Sequence, residues 1–167
     1  MAANVSHWIE ELSSDDVVLQ GRAAEELAKM GPEARPAAIP LIRHAGCADE
    51  TLREWVVAAL ESLGSPHVED LDELRQLVTS DDPEVRYWAI TFLGRLEKSA
   101  GPAVPDLVNA LQESPDRHNR ERAAWALGKI GPAAKDALPA LHAAVKSQDA
   151  RLERIALLSI AEIEGEV

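Results

Sequence analysis

An aspartate recurs at almost constant intervals along this chain. Steps of 33, 33, 34 and 33 residues separate Asp16, Asp49, Asp82, Asp116 and Asp149. Columns of apolar residues follow at fixed offsets: seven residues on stand Ala23, Val56, Ala89, Ala123 and Ala156, and eleven residues on stand Leu27, Leu60, Leu93, Leu127 and Ile160. A period of about 20 to 50 residues is the signature of an array of small structural repeats. The chain is therefore constrained to a repeat fold.

Each aspartate predicts the start of a helix. Asp is a favoured N-cap residue, and the positive end of the helix dipole stabilises it. The offsets 3, 7, 11 and 14 fall on one side of a helix with about 3.6 residues per turn, which predicts a buried face. Glycine followed closely by proline predicts the ends of four of these helices, because glycine adopts left-handed conformations and proline cannot continue a helix. The end signals are Gly31-Pro32, Gly64-Ser65-Pro66, Gly101-Pro102 and Gly131-Pro132.

A shorter amphipathic segment precedes each of these second helices. We expect first helices near residues 4–13, 34–45, 68–79, 103–113 and 134–147, with Pro40, Pro105 and Pro139 near their first turns, where a missing amide does least harm. One such pair has too narrow an apolar face to bury itself, so the pairs must stack. The sequence predicts an all-α, right-handed α–α superhelix, or solenoid, of five helix pairs. We expect one domain over residues 1–167, with repeats near 4–31, 34–65, 67–101, 102–132 and 133–165.

Two segments resemble the hallmark of HEAT repeats, particularly the short HEAT-like repeats of phycobilin lyase subunits. They are Asp82-Pro83-Glu84-Val85-Arg86 and Ala124-Trp125-Ala126-Leu127-Gly128-Lys129-Ile130-Gly131-Pro132, and the resemblance covers nearly the whole chain. It implies a ladder between neighbouring repeats, in which the column aspartate pairs with the arginine four residues later: Asp49 with Arg53, Asp82 with Arg86, and Asp116 with Arg120. Gln20 and Glu153 replace the arginine in the first and last repeats, which each have one neighbour.

Composition narrows the class of partner. The formal charge is −12, from 29 acidic and 17 basic residues, and nucleic acids attract proteins mainly through Lys and Arg. We therefore expect no nucleic acid, but a protein or peptide partner, including a basic one.

Cys47 is the only cysteine, which excludes an intramolecular disulfide. The chain lacks a signal-like start and an apolar run near the roughly 20 residues that span a bilayer, so we expect a cytoplasmic protein without membrane contact.

The motifs of catalysis and cofactor binding are missing from the sequence. The five histidines share no column, and one ligand-like spacing, His44 with Cys47 near Asp49 and Glu50, lies in an interhelix turn. We interpret this turn as structural and expect no metal. Phosphate-binding glycine loops and a nucleophile turn around serine are lacking, and the acidic pairs are explained as caps and solvated helix faces. We expect no catalytic residue and no cofactor.

The predicted binding face lies on the second helices, opposite their buried stripe. In HEAT proteins these helices line the concave groove, and here offsets 5, 6 and 9 carry aromatic and charged residues. Trp and Tyr on a solvent-facing side are enriched at binding hot spots. The expected anchors are Trp55, Tyr87, Trp88 and Trp125, with Arg86, Arg122, Glu54 and Glu121 at the rim. A second interpretation stays open, in which Trp55 and Trp88 fill gaps between adjacent repeats. Trp8, on a first helix, is expected in the core.

The last helix suggests a second surface. Apolar residues surround most of its circumference, whereas a terminal repeat normally has a polar outer face. We expect an association surface at Ile155 and Leu158, with a homo-oligomer formed through the C-terminal repeat. The sequence thus favours a non-catalytic protein–protein interaction scaffold that binds a peptide, helix or protein surface. The alternatives are a HEAT-like enzyme, resembling a lyase subunit with a companion subunit and a tetrapyrrole or a DNA glycosylase, and an assembly protein joined through its C-terminal helix.

Overall fold

The computed structural model describes residues 4–165, and these contain ten α-helices and no strand. The first helices of the pairs are α1 (Val5–Leu12), α3 (Ala38–Arg43), α5 (Leu71–Leu77), α7 (Val104–Glu113) and α9 (Leu138–Val145). The second helices are α2 (Val17–Met30), α4 (Glu50–Ser62), α6 (Pro83–Arg95), α8 (Arg117–Ile130) and α10 (Ala150–Glu164). The fold class is the all-α solenoid of helix-pair repeats, as predicted.

The chain divides into two compact units. Unit 1 is Met1–Asp70 and contains α1 to α4, and unit 2 is Leu71–Val167 and contains α5 to α10. Within unit 1, α2 packs against α4; within unit 2, α6 packs against α8 and α8 against α10. In both units the second helices therefore lie side by side, as stacked repeats require. The single domain over residues 1–167 stays a prediction.

The column aspartates cap the second helices, which confirms their predicted role. Each carboxylate accepts a hydrogen bond from a backbone amide in the first turn; Asp49 accepts one from Leu52 at 2.8 Å, and Asp116 accepts one from Asn119 at 2.9 Å. The apolar columns at offsets 7 and 11 are buried in all five repeats. Along the described chain, the capping residues and the buried columns therefore favour the same five second helices. Such consistency between local and tertiary preferences is expected of a sequence that folds well.

The predicted helix ends are correct at three of the four glycine–proline signals. Gly31, Gly64 and Gly131 have positive φ angles and follow the last turns of α2, α4 and α8. The prediction is wrong at Gly101, because α6 ends at Arg95 and Glu97 takes the positive φ of 49°. Gly101 lies instead within a 3₁₀ helix over Glu97–Ala103 that leads into α7. Similar 3₁₀ helices precede α3 and α9, so the first α-helices are shorter than expected.

The offset-4 side chains anchor the loops of their own repeats. In four repeats the side chain donates a hydrogen bond to the backbone carbonyl six residues earlier: Gln20 to Ser14 (2.6 Å), Arg53 to Cys47 (3.0 Å), Arg86 to Ser80 (2.6 Å) and Arg120 to Ser114 (2.7 Å). The implied ladder is wrong, since within residues 4–165 these arginines form no ion pair with a column aspartate. The first residue of α8 makes the cross-repeat contact instead, because Arg117 pairs with Asp149 at 2.8 Å.

Candidate functional site

Three neighbouring second helices of unit 2 enclose a small cavity, which we call the unit-2 pocket. Its volume is about 230 Å³, and it is lined by Tyr87, His118, Glu121, Arg122, Trp125, Arg151 and Ile155. Tyr87 lies on α6, the next four residues on α8, and the last two on α10. Residues at offsets 2, 5, 6 and 9 recur every three or four positions, so they face the same side of each helix. The pocket is thus built by the repeat geometry.

Arg122 is the central side chain of the unit-2 pocket. Its guanidinium carbon lies 4.6 Å from the centroid of the Tyr87 ring and 5.0 Å from that of the Trp125 ring. It also donates a hydrogen bond to the Tyr87 hydroxyl. Cation–π contacts on two rings stabilise the charged group and restrict its rotamers. The two half-buried rings and the arginine therefore form one fixed cluster joining α6 to α8.

Gly94 makes room for the Trp125 ring. A Cβ atom at this position of α6 would overlap the six-membered ring of Trp125, so the indole lies directly against the helix. Gly128 has the same offset of 12 in the next repeat, and a Cβ there would lie 2.9 Å from the Ser159 Cα of α10. This packing role was not predicted, because glycines were interpreted only as helix ends. The signal was present, because both glycines lie inside predicted helices at one shared offset.

A network of ion pairs forms one side of the pocket. Glu121, predicted at the rim, is 4% exposed; its carboxylate lies 2.9 Å from Arg117 Nε and 3.0 Å from Arg151 Nε. Hydrogen bonding to Asp149 is the largest cause of the raised pKa of Arg117. The pKa of Asp149 lies below its ordinary value, first because the Leu152 amide donates to it and then because of Arg117. A buried carboxylate needs such partners, so these charges fix the pocket wall.

The other predicted residues of unit 2 lie outside the pocket. Trp88 is 6% exposed and packs edge-on against Tyr87 and Phe92, with ring centroids 5.6 and 6.3 Å apart. Its burial offers a partner almost no surface. Arg86 lines a different cavity, of about 260 Å³, together with Ile90 and residues of α7. His118 and Arg151 were not predicted, although they share offset 2, which faces the same side as the predicted anchors.

Unit 1 has its own cavity, the unit-1 pocket, of about 390 Å³. It lies between α2 and α4 and is lined by Val17, Val18, Gly21, Arg22, Glu25, Asp49, Thr51, Leu52 and Trp55. Trp55 is half-buried there, while Glu54 is exposed and does not line the cavity. The Arg22 guanidinium lies 5.3 Å from the centroid of the Trp8 ring, and Trp8 is buried, as predicted. The lining is mainly apolar, unlike that of the unit-2 pocket.

The predicted C-terminal surface is divided between two environments. Leu158 is 60% exposed and its neighbour Leu157 is 50% exposed, so α10 presents two leucines to solvent. Ile155 is half-buried and lines the unit-2 pocket. The exposed part of this surface therefore consists of Leu157 and Leu158, while Ile155 belongs to the pocket geometry.

The turn considered for metal binding is held by local hydrogen bonds. His44 Nδ1 lies 2.8 Å from the Pro40 carbonyl oxygen, and Cys47 Sγ donates to the Asp49 carbonyl at 3.6 Å. Within residues 4–165 no three His, Cys, Asp or Glu side chains come together as metal ligands. In the same part of the chain, every helix is too short or too polar to cross a bilayer.

The helix pairs, their side-by-side second helices and the two pockets define a helical repeat protein, a class whose fold is suited to protein interaction. A family model of HEAT repeats matches residues 46–108 and 104–167. The chain belongs to the HEAT repeat family. None of the curated proteins matches the chain.

Solved structures of helical repeat proteins are similar to the chain. An engineered protein is 25% identical with a TM-score of 0.65, over 95% of this chain and 78% of the other. A chain of the CpcE and CpcF complex of phycocyanin lyase from Nostoc sp. PCC7120 is 26% identical with a TM-score of 0.66, over 99% of this chain and 66% of the other. A designed armadillo repeat protein in complex with the peptide (KR)4 is 19% identical with a TM-score of 0.65, over 96% and 82%; this likeness shows the fold alone.

Proposed function

We propose that this chain is a non-catalytic interaction module that binds a peptide or helix of a partner protein in the unit-2 pocket. The observation that carries the proposal is the cluster of Arg122 with the Tyr87 and Trp125 rings, all three of which line the same cavity. Tyr, Trp and Arg are the residues most enriched at binding hot spots. Half-buried rings of this kind present apolar area to a partner while their positions are already fixed.

Preorganisation supports the proposal energetically. Association loses the freedom of every side chain that must be ordered, about 0.5 to 1.5 kcal/mol for each long one. Arg122 is held by two rings and a hydrogen bond, and Trp125 by its contact with Gly94. These side chains therefore lose little entropy on binding. The unit-1 pocket around Trp55 is proposed as a separate site for one apolar side chain, because its lining is mainly apolar.

Selection from a displayed random peptide library tests the main proposal. Peptides selected on the native chain are expected to bind at least about tenfold more weakly to Trp125→Ala and to Arg122→Gln, since hot-spot substitutions cost about 2 kcal/mol or more. Fluorescence anisotropy of the labelled peptides measures the affinities. Lys146→Ala, an exposed change outside the pocket, serves as the control and should leave them unchanged. Circular dichroism checks that each variant is folded.

Two results would reject the pocket as the binding site. The first is selection of peptides that bind Trp125→Ala and the native chain equally well. The second is a library that yields no binder at all. The net charge of −12 favours a basic partner at long range. We propose that such a partner contacts the acidic residues outside the pocket.

A role as one subunit of a lyase is the second candidate. It is favoured by the 26% identity to a chain of the phycocyanin lyase complex, which covers 99% of this chain. This chain spans 66% of that relative, so the activity of the whole complex is not carried over by the likeness. A titration with a linear tetrapyrrole separates the candidates. Saturable change in its visible absorption favours the lyase role, and no change favours the interaction module.

Self-association through α10 is a further proposal, carried by the exposed Leu157 and Leu158 side chains. Exposed apolar patches on soluble proteins often mark interaction surfaces. We expect the mass from light scattering to rise with protein concentration, and Leu157→Glu with Leu158→Glu to abolish this rise, because a charge at the contact opposes its burial. A constant monomer mass for the native chain at high concentration contradicts the proposal.

A further inference from the structure

The unit-2 pocket contains two arginines and one paired carboxylate, and we infer that the segment it binds carries an acidic side chain next to an apolar one. This inference rests on the proposed function, since it names the chemistry of the segment bound there. It depends on three features of the pocket: its local charge, the free face of one arginine, and the apolar side chains beside it.

The local charge of the pocket is positive. Its lining contains Arg122 and Arg151 as cations and Glu121 as an anion. Glu121 is buried, and its two carboxylate oxygens are already paired, Oε1 with Arg117 and Oε2 with Arg151. It therefore has little capacity to accept from an incoming cation. The uncompensated charge that faces a ligand is the guanidinium charge.

Arg151 has an unused hydrogen-bonding edge. Its ion pair with Glu121 is made through Nε, and its side chain is 59% exposed. Within the part of the chain that the structure describes, Arg151 has no other ion-pair partner. The two terminal nitrogens of a guanidinium match the two oxygens of a carboxylate, and such a paired contact is stronger than a neutral hydrogen bond. A Glu or Asp side chain is the peptide group that fits this edge.

Apolar surface lies beside the arginines. Trp125 and Ile155 are half-buried in the same lining, and the volume of about 230 Å³ suits a single residue pair rather than a folded element. An apolar side chain covering Trp125 also excludes water from the neighbouring ion pair, which strengthens it. The expected recognition unit is therefore an acidic residue next to an aliphatic or aromatic one.

The net charge of −12 does not prevent binding of an acidic segment. At an ionic strength of about 0.1 M, interactions between exposed charges are screened beyond roughly 10 Å. Most acidic residues of the chain therefore act weakly on a ligand in the pocket, whereas Arg151 and Arg122 act at contact. The attraction itself is expected to weaken as salt is added.

Three octapeptides test the inference, each acetylated and amidated: Gly-Ser-Gly-Glu-Leu-Gly-Ser-Gly and the versions with Gln or Lys in place of Glu. The indole NH resonance of Trp125, assigned with Trp125→Phe, measures binding by NMR titration. We expect the Glu peptide to bind about fivefold to tenfold more tightly than the Gln peptide, because a charge-assisted contact replaces a neutral one. The Lys peptide should bind most weakly of the three.

Two variants assign the preference to its residue. Arg151→Gln should lose most of the preference for the Glu peptide over the Gln peptide, while Arg154→Gln, an exposed change on the same helix outside the pocket, should keep it. Equal binding of the Glu and Gln peptides to the native chain overturns the inference and leaves the proposed function standing. Absence of any Trp125 shift with all three peptides also overturns it, and the library selection then decides the proposed function independently.

Discussion

Replacing Leu127 with alanine is expected to lower the free energy of unfolding by about 2 to 5 kcal/mol. Leu127 is 0% exposed and belongs to the offset-11 column, which is buried in every repeat. The substitution removes apolar contacts and leaves a cavity that the neighbouring helices fill only in part. Urea titration followed by circular dichroism measures the loss, and the midpoint should move to a lower urea concentration.

Leu158→Ala is the matched control for this prediction. It makes the same chemical change on the next second helix, but Leu158 is 60% exposed, so the expected change is within about 0.5 kcal/mol. The control should be measured at low protein concentration, where association through α10 does not contribute. Equal losses for the two variants would contradict the assignment of the offset-11 column to the core.

Gly128→Ala is expected to lower the free energy of unfolding by about 1 to 3 kcal/mol, because it overpacks the contact between α8 and α10. The added methyl group would lie 2.9 Å from the Ser159 Cα and would meet the Ser159 and Glu162 side chains. Ser159 also donates a hydrogen bond to the Ala124 carbonyl at 2.8 Å, which a shift of α10 would weaken. Thermal unfolding monitored by circular dichroism checks the expected decrease.

The same substitution at Gly21 should have the opposite sign. Gly21 lies inside α2, and no atom of another element lies within 4 Å of a Cβ placed there. Alanine restricts the unfolded chain and favours the helix, so the expected gain is about 0.5 to 1 kcal/mol. Stabilisation by both substitutions would show that α10 can move away from α8 without loss, against the close packing described for Gly128.

The sequence predicted those features that repeat locally. The column aspartates were identified as N-caps because capping depends on a residue and the three amides that follow it. The core column containing Leu127 was identified because five copies of one spacing define a buried helix face. Both features could be predicted without information on which repeats contact each other.

Features that depend on a particular neighbour were harder to predict. Tyr87 and Trp88 are adjacent, yet Tyr87 lines the pocket and Trp88 is buried, since the packing of nearby side chains decides which ring is covered. Glu121 was placed at the rim because its pairing with Arg151 of the next repeat could not be read from offsets. Arg86 was assigned to the groove, although the loop carbonyl of Ser80 holds its guanidinium.

The hydrogen bonds from the offset-4 side chains to carbonyls six residues earlier limit where a repeat can be added to the array or removed from it. The donors are Gln20, Arg53, Arg86 and Arg120. In these four repeats the donor and the acceptor belong to the same repeat. A repeat boundary that lies before the acceptor therefore keeps the hydrogen bond. A repeat that is duplicated or transplanted from a boundary before Ser114 therefore contains both the donor and the acceptor of this hydrogen bond. A boundary between Ser114 and Arg120 would separate the acceptor from the donor, and the turn of the transplanted repeat would lose this hydrogen bond.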